Sequence, residues 1–317
     1  MKKYVLKRIL MMIPTLLAVV FIIFVLINIT PGDPGRIMLG QDAAQEDVDA
    51  INATMHMDKP LIVRYLYYIW DAMHLDFGVS FLTRQPVFAD LFEKIPVTFT
   101  LALGTVIAAV LIGVPLGVIT AVKEHSLLDS TLTVSSLLIA AIPSFWLSIM
   151  MILFLSVQLR MLPSSGIGSP LHYVMPILSV SIGNSAYYLR ITRSAMQDAL
   201  RQEYIKTARS KGASNARVII GHALRNALMI VVTQMTLSFV AMMGGSMLTE
   251  TIFGLPGVGA TILRAINMKD VPMIMASTIF VTLTLMNGSL NGRSCCRVQL
   301  SWAGHSAPHA GMGIYAG

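Results

Sequence analysis

The sequence predicts an all-α integral membrane protein with six transmembrane helices and a small extracytoplasmic helical cap. Three observations carry that prediction. The chain of 317 residues is 55% hydrophobic and 12% charged, with a mean hydropathy of +0.70, whereas soluble domains run at about 25% charged. Its uncharged stretches approach or exceed the ~20 residues that a bilayer core requires. Its charges lie between those stretches rather than inside them.

The first span is 9–30, preceded by Lys2, Lys3, Lys7 and Arg8. The apolar run is too long for a cleavable signal core and lacks a small-residue cleavage site, so it reads as a retained anchor. Residues 31–94 then carry ten of the sixteen acidic residues against five basic ones. Within them, 42–57 reads as an acidic helix. Residues 61–70 read as an apolar, aromatic helix at the membrane surface, with Tyr65, Tyr68 and Trp70 suited to an aromatic belt.

A core of 95–286 follows, with spans at 95–122, 130–159, 171–189, 226–249 and a short one at 271–286. Pro14, Pro115, Pro143 and Pro176 fall in or near spans, where neighbouring helices satisfy the freed carbonyls. The tail, 287–317, holds six glycines and the adjacent Cys295 and Cys296, without apolar periodicity. It reads either as a disordered native tail or as the product of an altered reading frame after Met286, the second being favoured. The cysteine pair supports neither a disulfide framework nor a metal site.

Lys/Arg asymmetry sets the orientation. The N-terminus, the loop at 123–129 and the basic stretch 190–225 are placed in the cytoplasm, and six helices return the C-terminus there. The formal charge of +7 belongs to this topology. No aromatic-basic interleaving points to a nucleic-acid partner.

Several chemistries are missing. No G-x-x-x-x-G-K-[ST], H-E-x-x-H or G-x-S-x-G occurs. The span centres hold no Asp, Glu, Lys or Arg, which argues against gradient-driven transport, proton pumping and intramembrane proteolysis. Asn28, Gln158, Asn184, Thr233 and Gln234 read as interhelical hydrogen-bonding groups. His56 and His74 lack partners at ligand spacing, and His222 reads as a packing or capping residue.

The stretch 190–225 contains eight Lys/Arg (Arg190, Arg193, Arg201, Lys206, Arg209, Lys211, Arg217, Arg225) against Asp198 and Glu203. Tyr204 and Ala208 share a helix face, with Lys206 and Arg209 opposite. Gly212 is placed to end that helix in the left-handed conformation, and Ser214 or Asn215 to cap the next. A small Ala208 beside an ordered turn points to a docked soluble partner. The competing reading is a surface helix on anionic lipid.

Glu203-Tyr-Ile-Lys-Thr-Ala-Arg-Ser-Lys-Gly212, followed by His222-Ala-Leu-Arg225-Asn226-Ala227, resembles the cytoplasmic coupling loop of ABC importer permeases, and more narrowly of the dipeptide/oligopeptide/nickel family. Three further motifs agree in order and spacing. They are Thr30-Pro31-Gly32-Asp33-Pro34, the run from Asp58-Lys-Pro60-Leu61 to Asp76-Phe77-Gly78-Val79-Ser80, and Glu250-Thr-Ile-Phe-Gly254-Leu-Pro256-Gly257-Val-Gly259. The resemblance covers 1–286. The wider superfamily's Glu-Ala-Ala triplet falls on Lys206-Thr207-Ala208, so only Ala208 and Gly212 match the strict pattern, a form usual in the peptide/nickel branch.

The resemblance implies a type I importer permease in a bacterial or archaeal plasma membrane, a transport subunit rather than an enzyme. It implies a second homologous permease, two ABC ATPase subunits holding ATP and Mg, and an extracytoplasmic solute-binding protein delivering peptides or a nickel chelate. No cofactor is expected on this chain. Glu203, Tyr204, Ala208, Arg209 and Gly212 are the expected coupling contacts, although Glu203 also reads as a local partner of Lys206. Pro31, Gly32, Asp33, Pro34, Glu250, Gly254, Pro256, Gly257 and Gly259 are the other family positions. The Gly254–Gly259 run lies outside and lacks a phosphate-loop lysine, so it reads as a turn beneath the binding protein or at the translocation exit. The alternative is a membrane anchor that docks cytosolic partners without transport.

Overall fold

The structure is a computed structural model that describes residues 2–29, 32–40, 42–244 and 246–305, with side chains placed for 10–29, 32–40, 42–244 and 246–288. Among the described residues thirteen α-helices follow one another: α1 Lys2–Ile29, α2 Pro34–Leu39, α3 Gln45–Thr54, α4 Leu61–Met73, α5 Val87–Val122, α6 Leu127–Ala141, α7 Ser144–Met151, α8 Val174–Leu200, α9 Glu203–Ser210, α10 Arg225–Met243, α11 Met247–Ile252, α12 Val258–Met268 and α13 Val271–His305. π-helical turns occupy Ile152–Gln158 and Arg217–Leu224, and a 3-10 turn precedes α8. Among the described residues, α1, α5, the run Arg217–Met243 and the first half of α13 are long and apolar enough to cross a membrane. The pair α6 with Ser144–Gln158 makes a fifth candidate.

Three expectations change. The span at 130–159 is not one helix. It breaks at Ile142, whose backbone is extended because a following proline disfavours the α conformation. The span expected at 171–189 falls on α8, whose apolar part continues without a break through Arg190, Arg193 and Asp198. The basic stretch therefore begins as helix rather than as loop. In the tail, α13 runs past Met286 to His305, against the disordered-tail alternative. Asn287–His305 contains no proline, and isolated glycines weaken a helix by only about 1 kcal/mol each. Residues 306–317 lie outside the described set.

The chain divides into two compact units. One contains residues 1–102, 148–176 and 241–286. Here α12 and α13 pack on the start of α5 through Val87, Leu91, Val258, Ile262, Ala265 and Met273. Asp33 caps α2, accepting from the N–H groups of Gly35 (2.9 Å) and Arg36 (3.4 Å) and from Asn52 Nδ2 on α3 (2.8 Å). Pro34 takes the first helical position, where its missing N–H costs nothing. The α4 helix does not simply rest at the surface. Leu61, Tyr65, Tyr68 and Ile69 pack on α1 at Leu16, Val20, Ile23 and Phe24, and Tyr65 Oη donates to the Leu17 carbonyl at 2.7 Å. Tyr65 and Tyr68 thus turn inward, and Trp70 alone of the three belt candidates is exposed.

The other unit contains 103–147, 177–240 and 287–317. Its α5 and α8 approach at backbone distance through a Gly113-x-x-x-Gly117 face. A Cβ on Gly113 would stand 2.5 Å from the Ser185 carbonyl oxygen, and one on Gly117 2.6 Å from that of Leu189. Small residues let helices touch in this way where no hydrophobic force drives them together in lipid. Ala109, Val114, Tyr188 and Val231 close the packing against α10.

Gly113→Leu should destabilise the detergent-solubilised chain by about 3 kcal/mol or more, since backbone rather than a mobile side chain opposes the new atoms; differential scanning fluorimetry measures it. Asp33 yields a pH expectation. The Asn52 hydrogen bond, with the Arg36 and Gly35 N–H groups, outweighs burial and holds its carboxyl below the usual 3.8. A lowered folded value stabilises above the unfolded one, and that stabilisation is lost as pH falls through the folded value. Intrinsic-rate-corrected hydrogen exchange should therefore show α2 losing protection in acid, and Asp33→Asn should flatten that dependence.

Candidate functional site

The α9 helix has eight residues and buries a single side chain, Ile205, which is 1% exposed. Ile205 enters a core of Ala121, Ala195, Met196, Ala199, Val218, Ala223 and Ala227. Six small or unbranched neighbours let the short helix lie close to α8 and to the chain that follows it. The outer face presents Glu203, Tyr204, Lys206, Thr207 and Arg209 to solvent.

Hydrogen bonds fix the C-terminal end of α9 and the start of the chain that follows. Gly212 N–H donates to Arg209 O (2.9 Å) and Ala213 N–H to Ala208 O (3.1 Å), the paired bonds of a Schellman turn with Gly212 at φ +81°. Ser214 then caps the next helix, its Oγ accepting from Arg217 N–H at 3.4 Å. The expected ending at Gly212 and restart at Ser214 are both present.

The five expected contact residues do not share one environment. Glu203 and Arg209 are exposed, and Glu203 accepts from Lys206 Nζ at 2.8 Å. Tyr204 is exposed on one side, while its hydroxyl accepts from Asn226 Nδ2 at 2.8 Å. Tyr204 therefore also ties α9 to α10. Ala208 is half-buried against the Ile205 core, so its small size serves inward packing. Gly212 lies at the surface, with nothing within 4 Å of a built Cβ. Its need for glycine is conformational.

Sequence reasoning missed the support behind α9. Arg193 on α8 makes two parallel bonds to Asp129 at the start of α6, Nε to Oδ1 and Nη2 to Oδ2, both 2.8 Å. Asp129 is 4% exposed and also accepts from His125 N–H and Thr133 Oγ1. Arg201 Nη2 meets Glu124 Oε1 at 2.9 Å. The 123–129 loop reads as nearly neutral in sequence. Its two acids are the complement of two arginines in the basic stretch, and that pairing of loops placed on one side was the available signal.

The second set of motif residues converges on Glu250, which is fully buried. Thr98 Oγ1 donates to Oε1 and Ala260 N–H to Oε2, both at 2.8 Å, and Thr98 in turn accepts from Val258 N–H. Burial pushes the carboxyl up, and these donors, with the Gly259 N–H, oppose it. A Cβ on Gly257 would sit 2.4 Å from the Glu250 carboxyl carbon, and one on Gly259 2.8 Å from the Met247 nitrogen. Gly254 turns the chain at φ +60°, and Leu255 N–H returns to Glu250 O at 2.8 Å. Pro256 follows, between Leu255 and Gly257. Of the first motif, Pro31 lies outside the described residues, while Gly32, Asp33 and Pro34 form the capped start of α2.

Residues 113–291 match the family described as the binding-protein-dependent transport system inner membrane component, and residues 1–102 match that system's N-terminal membrane component. The chain belongs to this family. A Brucella abortus (strain 2308) protein provisionally named a peptide transport system permease is 36% identical over 289 residues, covering 89% of this chain and 92% of the relative. The glutathione transport system permease protein GsiC of Salmonella typhimurium is 35% identical over 286 residues, with the same coverage. The fold resembles that in an inward-facing structure of the MetNI methionine ABC transporter, with a TM-score of 0.52 at 19% identity over 65% of this chain and 95% of that one. This permease is thus a multi-pass inner-membrane subunit of an ABC importer with the type I fold. The anchor-without-transport alternative is not retained.

The Asp129–Arg193 pair should show strong coupling. Removing either partner leaves the other charge poorly solvated, so Asp129→Asn or Arg193→Gln alone should cost about 2 kcal/mol. A double-mutant cycle by thermal unfolding should return a coupling energy of about 1–3 kcal/mol.

Proposed function

We propose that α9 is the element through which this permease engages a cytoplasmic ABC ATPase subunit. The observation that carries the reading is a basic, exposed helix fixed to the core by Ile205 and closed by a bonded turn at Gly212. A helix held only by lipid electrostatics has no need of either device.

The full assembly on this reading has two permeases, this chain and a homologue, embedded in the bilayer. Two ATPases bind ATP and Mg, and this chain contributes no nucleotide loop or cofactor site. The basic stretch and both termini face the cytoplasm. The extracytoplasmic segment 31–94, apart from α4, and the Gly254–Gly259 turn face outward, toward a solute-binding protein. Peptides are the favoured substrate class, supported by relatives named for peptide and glutathione transport. Nickel chelates remain within the family resemblance.

The α9 geometry suits force transmission. A partner that moves on binding ATP displaces α9, and the Tyr204–Asn226 bond and the Schellman turn pass that displacement into the chain leading to α10. The permease then changes state only to the extent that the partner binds one state better than the other.

Arg209→Glu reverses one exposed charge without touching the core. It should leave membrane insertion and melting temperature unchanged while weakening ATPase co-purification about tenfold or more. Gly212→Pro removes the Gly212 N–H bond and forbids the positive φ, and should abolish uptake, as should Ala208→Arg. Normal co-purification and uptake in Arg209→Glu and Gly212→Pro together would refute the assignment.

A further inference from the structure

A cavity of about 1060 Å³ lies among α1, the α2–α3 cap, α4 and α13, and its lining includes the motif residues Gly32, Pro34 and Asp76. Its walls include Ile23 and Ile27 from α1 and Val271 and Met275 from α13, with Arg64 and Tyr68 reaching it from α4. Arg64 and Tyr68 carry two of the six unsatisfied buried side-chain polar atoms among the described residues. Arg64 Nε and Tyr68 Oη are shielded from solvent, and neither has a hydrogen-bond partner among the described residues. Both groups donate, so the missing partner is an acceptor, and the guanidinium asks for an anionic one. Leaving such groups unmet costs about 1–3 kcal/mol each.

The depth of the site narrows the choice. The Arg64 guanidinium lies 5.9 Å from the Phe24 ring centre. Phe24 is five residues from the end of α1 at Ile29, or about 7.5 Å along the axis. Tyr65 bonds α1 deeper still, at Leu17. Meanwhile Ile62, Leu66, Trp70 and Met73 form a second apolar stripe on α4, each 61–65% exposed. A helix apolar on both faces and packed alongside a membrane span sits in lipid, not above it. With the end of α1 at the membrane surface, a half-buried arginine a turn or two below it is at the level of the glycerophosphate region.

We propose that this cavity is a phospholipid site, with the phosphodiester accepting from Arg64 Nε and Tyr68 Oη and an acyl chain lying along Ile23, Ile27, Val271 and Met275. Asp71 and Asp76 also line the space, which suits a headgroup with a primary amine beside its phosphate. Burial displaces both donors in the expected sense, pulling Arg64 down and pushing Tyr68 up, and an anionic acceptor relieves the first. The site would anchor the cap to α1 through a lipid and owes nothing to ATPase docking.

The test uses the full chain purified from bacterial membranes in mild detergent. Native mass spectrometry should find a phospholipid retained by the wild type and lost from Arg64→Leu and from Tyr68→Phe. The second variant removes only a hydroxyl that has no hydrogen-bond partner among the described residues, so it should fold normally. After delipidation, phosphatidylethanolamine should raise the wild-type melting temperature by about 3 °C or more and leave Tyr68→Phe nearly unmoved. Equal retention in all three proteins, or equal protection by inorganic phosphate, would overturn the proposal. So would a cross-link showing a partner permease filling the cavity.

Discussion

The burial of Ile205 is the contact on which the cytoplasmic surface depends. Helices of eight residues do not persist alone in water, where about 12–15 are needed even for favourable sequences. The α9 helix exists because one side chain enters a pocket of alanines, and because those alanines allow the backbones to approach. Everything on the exposed side inherits its position from that anchor. The exposed residues are free to be charged because none of them has to hold the helix in place.

Two buried carboxylates are stabilised in opposite ways. Asp129 meets a guanidinium in a fork geometry, which gives direction as well as charge. Glu250 is met by a hydroxyl and backbone N–H groups, so its charge is balanced by dipoles alone. The first arrangement joins two elements across a loop and yields when either partner is lost. The second fixes the shape of a turn, and its carboxyl is held nearer neutrality because no cation offsets its burial.

Much of this was legible in the sequence. The spans of α1, α5 and α10 follow from uninterrupted apolar length. The end of α9 at Gly212 and the restart at Ser214 follow from local cap chemistry, which needs no knowledge of the rest of the fold. What escaped detection was non-local. Arg193 and Asp129 are paired across 64 residues, and nothing in the neighbourhood of either announces the other. The close approach of Gly113 and Gly117 to the α8 carbonyls is equally non-local. The inward turn of Tyr65 and Tyr68 was hidden because an aromatic helix reads alike whether it lies on a membrane or along another helix. The break before Pro143 shows the reverse limit, in which a tolerated proline was assumed where its local preference prevailed.

The close approach at Gly257 has a consequence for inheritance. Glycine is the only amino acid without a Cβ, and a Cβ there would overlap the Glu250 carboxyl group. Every missense change reachable from a glycine codon by one nucleotide introduces that atom. The position therefore has no mild neighbour in the genetic code. Any side chain at 257 must displace the Glu250 carboxyl from Thr98 and Ala260, so what one position tolerates depends on the residue at the other.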